Sequence, residues 1–167
     1  MADQIRVLIV DDIPETRDHL TKLLGFESDI EVVGAAASGA QAISLAAASS
    51  PDVILMDINM PDMDGITATE RLSAEVPDAA VVMMSVQGEA DYLRRSMLAG
   101  AREFLVKPFS SDELTASIRQ VHSRERDKQS RISTSRAWTW RIEAVSSSLL
   151  NGLTRNSRAT ASIERRR

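Results

Sequence analysis

The chain has 167 residues, 43% of them hydrophobic and 26% charged, with a formal net charge of −4 at pH 7, which fits one ordinary domain with an extension. It contains no run of 18 apolar residues, which excludes a membrane-spanning helix, and no cysteine, which excludes disulfides and thiolate metal sites. Because Met1–Gln4 leads directly into the first predicted strand, we expect no signal peptide and a cytoplasmic protein.

The first 122 residues alternate short apolar runs with helical patterns, and this order predicts βαβ units around a parallel sheet. The five predicted strands are residues 5–10, 30–35, 53–56, 81–84 and 104–106. Four predicted helices lie between them and begin at Pro14, Gly39, Gly65 and Glu89. Glu31 interrupts the apolar pattern of the second strand, which indicates that this strand lies at an edge of the sheet.

A fifth helix is predicted after the last strand. Ser110 and Glu113 form a capping-box pattern, in which each side chain bonds the backbone N–H of the other residue. The helix that follows has apolar residues at helical spacing on its inward face, namely Leu114, Ile118 and Val121.

The charge distribution divides the chain near residue 123. Residues 1–123 contain 9 Lys/Arg and 20 Asp/Glu, a net charge of −11, whereas residues 124–167 contain 11 and 4, a net charge of +7. We therefore predict a domain over residues 1–123 and a basic extension over residues 124–167, either a linker or a partly disordered tail. Within this extension, the apolar spacing of Trp138–Leu153 predicts one short helix.

Polar and charged residues stand at the carboxyl ends of four predicted strands. Asp11 and Asp12 follow the first strand, Asp57 the third, Ser85 the fourth and Lys107 the fifth. In an open parallel sheet, ligands bind at the carboxyl ends of the strands, beside the point where the strand order reverses. Each feature alone is typical of a turn or a helix cap, but their joint occurrence in one domain predicts that they converge on one site.

This set of residues has the chemistry of phosphoryl transfer to a carboxylate. Asp57 is the candidate nucleophile, because its strand is predicted to be central and to end at the crevice. Asp11 and Asp12 add negative charge that repels a phosphate unless a cation intervenes, and oxygen ligands of this kind favour Mg²⁺. Lys107 supplies a positive charge for the phosphoryl oxygens, and the Ser85 hydroxyl donates a hydrogen bond to one of these oxygens.

Four stretches of the domain form a recognisable set of motifs: residues 7–12 (VLIVDD), 52–65 (DVILMDINMPDMDG), 81–85 (VVMMS) and 100–109 (GAREFLVKPF). Through them the chain resembles the receiver domains of response regulators in two-component signalling, the CheY-like family, from residue 5 to about residue 122. The resemblance implies an α/β flavodoxin-like fold, a doubly wound five-stranded parallel sheet in the order 2-1-3-4-5 with helices on both faces.

The same resemblance implies a role for each residue of the site. Asp57 would be the phosphoacceptor, Ser85 and Lys107 would bind the phosphoryl group, and the Lys107–Pro108 bond would be cis. The implied Mg²⁺ ligands are the carboxylates of Asp12 and Asp57, the backbone carbonyl of Asn59 and, through water, Asp11.

The resemblance also implies a switch and its partners. Ser85 and Phe104 match the switch positions of the family, and because Phe104 lacks the hydroxyl of the usual Tyr, such a switch acts through packing alone. A sensor histidine kinase is the expected phosphodonor. The surface around helix four, strand five and helix five is expected to change on phosphorylation and so to bind a downstream protein. Formation of a homodimer is a further alternative. Val86 stands where the family usually has Ala or Gly, and it is expected to narrow the access of donors.

Other functions compete with this interpretation. A phosphatase of the haloacid-dehalogenase type needs a second Asp two residues after the nucleophile, where this chain has Asn59, so we expect a phosphoacceptor switch rather than a turnover enzyme. A flavodoxin is disfavoured because the first strand–helix junction is acidic. For the output, the alternative is that the protein is a transcription factor, or binds nucleic acid in another way, through its basic tail. A further alternative is that an output domain is missing from this chain.

Overall fold

The computed structural model describes residues 4–86 and 88–132. Packing divides the chain into two units, Met1–Glu125 and Arg126–Arg167. The helix predicted at Trp138–Leu153 lies outside the described residues, as does most of the predicted basic extension. Within the described ranges, none of the helices combines the length and the hydropathy that a transmembrane segment needs.

Five parallel strands form the sheet: β1 (Ile5–Val10), β2 (Ile30–Ala36), β3 (Val53–Asp57), β4 (Ala80–Ser85) and β5 (Glu103–Val106). Their order is β2-β1-β3-β4-β5, which confirms the predicted fold and places β2 at an edge, as Glu31 indicated. Most strands are one or two residues longer than predicted, so that Asp57 and Ser85 are the last residues of β3 and β4. The helices are α1 (Pro14–Leu24), α2 (Gly39–Ser49), α3 (Gly65–Glu75), α4 (Ala90–Leu98) and α5, which covers residues 111–132.

Helices cover both faces of the sheet, so its central strands are buried on both sides. All five residues of β3 are buried, and alternate residues along the strands belong to two separate apolar clusters. One cluster, under α2 and α3, contains Leu8 and Ile54, and the other, under α1 and α5, contains Ile9 and Leu55. The carboxyl edge of the sheet is therefore left as the place for polar chemistry.

The helix α5 is anchored at several points. The predicted capping box is confirmed, because the Glu113 carboxylate accepts the Ser110 N–H at 2.7 Å and the Glu113 N–H donates to Ser110 Oγ at 3.1 Å. Arg119 forms ion pairs with Glu27 at 2.6 Å and with Asp29 at 2.8 Å. The hydrogen bond from Arg119 lowers the pKa of Asp29.

The helix α4, on the other side of β5, buries little of its surface. Of its nine residues, only Ser96 is buried. Three large apolar side chains of α4 are exposed, Leu93 to 41%, Met97 to 39% and Leu98 to 77%. The two helices that flank β5 therefore differ, since α5 is held by its apolar face and by ion pairs, whereas α4 is lightly packed.

The connection from β3 to α3 runs so close to β3 that no side chain fits at Gly65. The Gly65 N–H donates to the Ile58 carbonyl at 2.9 Å, and a Cβ on Gly65 would collide with the backbone carbonyl oxygen of Asp57. Asp64 caps α3 by accepting the Thr67 N–H at 2.8 Å. The start of α3 thereby fixes the backbone at the carboxyl end of β3.

We predict that Gly65→Ala lowers the free energy of unfolding by about 1–3 kcal/mol, because the added Cβ meets backbone atoms that cannot rotate away. Urea denaturation followed by circular dichroism measures this change. Gly25→Ala is the matched control, since Gly25 has an ordinary helical φ of −64°, and its effect should stay within about 1 kcal/mol. Equal stability of the two variants would contradict the close approach at Gly65.

Candidate functional site

The ammonium group of Lys107 lies between two carboxylates. Its Nζ donates hydrogen bonds to Oδ1 of Asp57 at 2.7 Å and to Oδ2 of Asp11 at 3.1 Å. Asp57 ends β3, Asp11 follows β1 and Lys107 follows β5, so residues from three strand ends meet at one point. Because the strands are parallel, these ends lie on the same edge of the sheet even though Lys107 and Asp11 are 96 positions apart.

These three charges are largely removed from solvent. The side chains of Asp11, Asp57 and Lys107 are 1%, 8% and 21% exposed, respectively. Burial raises the pKa of Asp57, although the hydrogen bond from Lys107 opposes this shift. Burial would lower the pKa of Lys107, but the two carboxylates together outweigh it and raise that pKa. With one ammonium for two carboxylates, the group keeps a negative charge that favours a further cation.

All three oxygens of Asp11 accept hydrogen bonds. Oδ1 accepts the Ile13 N–H at 2.9 Å, Oδ2 accepts from Lys107, and the backbone carbonyl accepts from Nη1 of Arg17 at 2.6 Å. The sequence interpretation missed Arg17. The sequence feature that could have identified it is a positively charged residue in the first turn of α1, where the helix dipole disfavours positive charge unless a specific partner is present.

Asp12 and Asn59 lie beside this group and line a cleft. The Asp12 side chain is half-buried, and its carboxylate has no hydrogen bond or ion pair to the described part of the chain. The backbone of Asn59 lies close enough to the Asp57 carboxylate to lower its pKa slightly, against the larger effect of burial. Asp12 therefore differs from its neighbour Asp11, because its carboxylate is available to a cation that enters the cleft.

The donor set at this site suits Mg²⁺. Among the described residues, no three His, Cys, Asp or Glu side chains are placed to ligate one ion together. Mg²⁺ keeps several of its waters and binds through one or two carboxylates. Asp12 has a carboxylate with no partner among the described residues, and Asp57 gives only one of its oxygens to Lys107, so these two match that number.

The other predicted residues lie on β4 and β5. Ser85 is fully buried at the end of β4, and its carbonyl accepts the backbone N–H of Lys107 at 2.7 Å. Phe104 lies outside the charged group, half-buried against the apolar cluster under α2 and α3, where Tyr92 of α4 also packs. The Lys107–Pro108 peptide bond is cis.

The cleft beside the charged group has a volume of about 530 Å³. Its lining includes Asp12, the loop at residues 58–61, and Tyr92 and Arg95 of α4. The sequence interpretation missed Tyr92 and Arg95, because the periodicity of a helix does not tell which loop of the fold its polar face meets.

Comparison with known proteins supports these observations. Residues 7–119 match the family model described as response regulator receiver domain. The chemotaxis protein CheY of Bacillus subtilis is 38% identical over 116 residues, which cover 70% of this chain and 96% of CheY. The response regulator protein VraR of Staphylococcus saprophyticus is 37% identical over 121 residues, which cover 72% of this chain and 58% of VraR. The chain thus spans little more than half the length of VraR.

Solved structures show the same similarity. The response regulator domain of Thermotoga maritima CheB has a TM-score of 0.67 and 34% identity, over 72% of this chain and 97% of that domain. A chain of the CheX-CheY-BeF3-Mg²⁺ complex from Borrelia burgdorferi has a TM-score of 0.67 and 30% identity, over 71% of this chain and 90% of that one. The similarity therefore covers the fold as well as the sequence.

We predict that Asp57→Asn raises the free energy of unfolding by about 1–2 kcal/mol at pH 7 in Mg²⁺-free buffer. The substitution keeps the shape of the side chain but removes one of two buried carboxylates that share one ammonium. Because the pKa of Asp57 is raised above 3.8 in the folded state, ionisation of Asp57 destabilises the fold as the pH rises. The gain from Asp57→Asn should therefore shrink as the pH falls toward 3.8.

Urea unfolding between pH 3 and pH 8 measures this difference. Asp62→Asn is the control, because Asp62 is exposed, and it should change stability by no more than about 0.5 kcal/mol. The interpretation fails if Asp57→Asn is less stable than the parent at pH 7.

Proposed function

The chain belongs to the response regulator receiver domain family, and on that premise we propose that it is a phosphorylation-driven switch in two-component signalling. Asp57 accepts a phosphoryl group from a sensor histidine kinase, and the change at the site alters the surface formed by α4, β5 and α5. The protein acts as a phosphoacceptor in the cytoplasm rather than as an enzyme that turns over a substrate.

The position of Lys107 between Asp57 and Asp11 is the observation that carries this proposal. A carboxylate acts as a nucleophile toward phosphorus and becomes an acyl phosphate. Asp57, at the end of a central strand, is the carboxylate that we assign to this role. Lys107 holds the Asp57 carboxylate in place and presents a positive charge to the phosphoryl oxygens. Phosphoryl transfer depends mainly on positioning and on charge neutralisation, and this group of largely buried charges is suited to both.

Mg²⁺ is the proposed cofactor. Its ligands would be the carboxylates of Asp12 and Asp57 and the backbone carbonyl of Asn59, with Asp11 acting through a water. Asp11 suits the indirect role because both of its carboxylate oxygens already accept hydrogen bonds. When bound, the ion offsets the negative charge that the carboxylates present to an incoming phosphoryl group.

Ser85 and Phe104 are the proposed switch residues. Ser85 lies at the end of β4, where its hydroxyl would bind a phosphoryl oxygen, and Phe104 lies on the neighbouring strand β5. Phe104 and Tyr92 pack against the same apolar cluster, so a shift of Phe104 reaches α4 through packing. Because α4 buries one residue of nine, it is the element most easily displaced when phosphorylation favours a second state.

The output of the switch is proposed to be binding of a partner protein. Nucleic-acid binding through residues 124–167 is the alternative, and their net charge of +7 favours it. A similar curated protein, MctR of Rhizobium johnstonii, is named a transcriptional regulatory protein, but this chain covers only 55% of it. The output of such longer relatives therefore does not transfer directly to this chain.

We predict that incubation with acetyl phosphate and Mg²⁺ adds one phosphate to the intact protein and none to Asp57→Asn. Chelation of Mg²⁺ with EDTA should prevent the addition, because the carboxylates then repel the donor. Intact-mass spectrometry measures both results, and Asp62→Asn serves as the control that still takes up one phosphate. Addition of a phosphate to Asp57→Asn would contradict the assignment of Asp57 as the phosphoacceptor.

We also predict that Asp12→Ala and Ser85→Ala separate metal binding from phosphoryl transfer. Asp12→Ala should weaken Mg²⁺ binding about tenfold or more, because it removes a carboxylate that none of the described residues engages. Ser85→Ala should leave Mg²⁺ affinity within about twofold and slow phosphorylation about tenfold or more, since it removes a donor to the phosphoryl group. Calorimetric Mg²⁺ titration and phosphorylation rates measure the two effects. Equal Mg²⁺ affinity in Asp12→Ala and the parent would contradict the ligand assignment.

A further inference from the structure

The cleft beside Asp57 has an acidic part and a cationic wall. Asp12 and Asn59 belong to the acidic part, and Arg95 of α4 lines the wall. The volume of about 530 Å³ exceeds what one phosphoryl group and one metal ion need. The proposed function uses only the acidic part, so the space next to Arg95 has no role in it.

Arg95 lines this cleft without a partner in the described part of the chain. Its side chain is exposed, and its guanidinium has no hydrogen bond or ion pair within residues 4–86 and 88–132. The nearby carboxylate of Asp64 also lines the cleft, but it is engaged by Thr67, whose N–H and hydroxyl both donate to it. The guanidinium of Arg95 therefore supplies a local positive charge that attracts a small anion to this wall of the cleft, against the negative charge of the rest of the domain.

We propose that the cleft binds the leaving-group end of small acyl-phosphate donors, and that Arg95 is a specificity-determining residue that attracts the carboxylate they release. This inference rests on the proposed function of Asp57. An oxygen of Asp57 bonds to phosphorus while the bond from phosphorus to the acyl oxygen breaks, and the electron pair of that bond leaves on the carboxylate. The step balances without a proton, an oxidant or a reductant. A guanidinium stabilises the negative charge that develops on the leaving oxygen.

Donors with a nitrogen leaving group gain nothing from Arg95. Phosphoramidate releases ammonia when its bond from phosphorus to nitrogen breaks, and ammonia carries no negative charge. Arg95 therefore favours acyl phosphates over phosphoramidates at the same Asp57. Arg94 is the matched control, because it is an exposed neighbour on the same helix and does not line the cleft.

The test compares the rates at which Asp57 is phosphorylated by acetyl phosphate and by phosphoramidate at saturating Mg²⁺, in the full chain and its variants. Arg95→Gln should slow phosphorylation by acetyl phosphate about 3- to 10-fold and leave the rate with phosphoramidate within about twofold. Arg94→Gln should leave the ratio of the two rates unchanged, and Arg95→Lys should restore part of the ratio. High ionic strength should reduce the difference between the parent and Arg95→Gln, because salt screens an exposed charge.

Equal slowing with both donors in Arg95→Gln would overturn the proposal, since Arg95 would then support the site as a whole. An unchanged ratio of rates in Arg95→Gln would overturn it as well. Both results leave the proposed function intact, because Asp57 is still phosphorylated. Failure of both donors to phosphorylate the parent would overturn the proposed function, and this inference with it.

Discussion

A single half-buried ammonium group holds the site together. Lys107 lies between Asp57 and Asp11, and removal of these charges from water costs free energy that their attraction offsets only when the geometry is well defined. The surrounding fold supplies that geometry. The strands β1, β3 and β4 are almost entirely buried, so apolar packing on both faces of the sheet fixes the strand ends that bring the three charges together.

Packing around this charged group is dense on one side and sparse on the other. Gly65 brings α3 against the carboxyl end of β3, and Arg119 helps to anchor α5. By contrast, α4 exposes Leu93, Met97 and Leu98. A fixed charged centre next to a lightly packed helix suits a switch, because a change of charge at the centre can shift the helix without unfolding the sheet.

The cleft gives the two sides of the site different tasks. Asp12 and Arg95 both line the cleft. Neither the carboxylate of Asp12 nor the guanidinium of Arg95 has a partner among the described residues. The residues at the buried strand ends carry out the chemistry of the phosphoryl group, whereas a residue on the exposed helix α4 discriminates between donors. A substitution on α4 can therefore change which donor is preferred while Asp57 and Lys107 keep their contacts.

The sequence by itself determined the strands and the α5 capping box, because apolar periodicity and a pattern that spans four residues are local properties. The order of the strands was implied by the resemblance to the family, not by these local patterns. The sequence also predicted which residues stand at the strand ends. Only the tertiary structure decided the contacts of each charge. Asp11 and Asp12 are identical neighbours, yet the fold buries the first against Lys107 and leaves the second half-exposed in the cleft. Arg17 and Arg95 likewise obtain their roles from the loops they meet, since local sequence carries periodicity but no distance between elements.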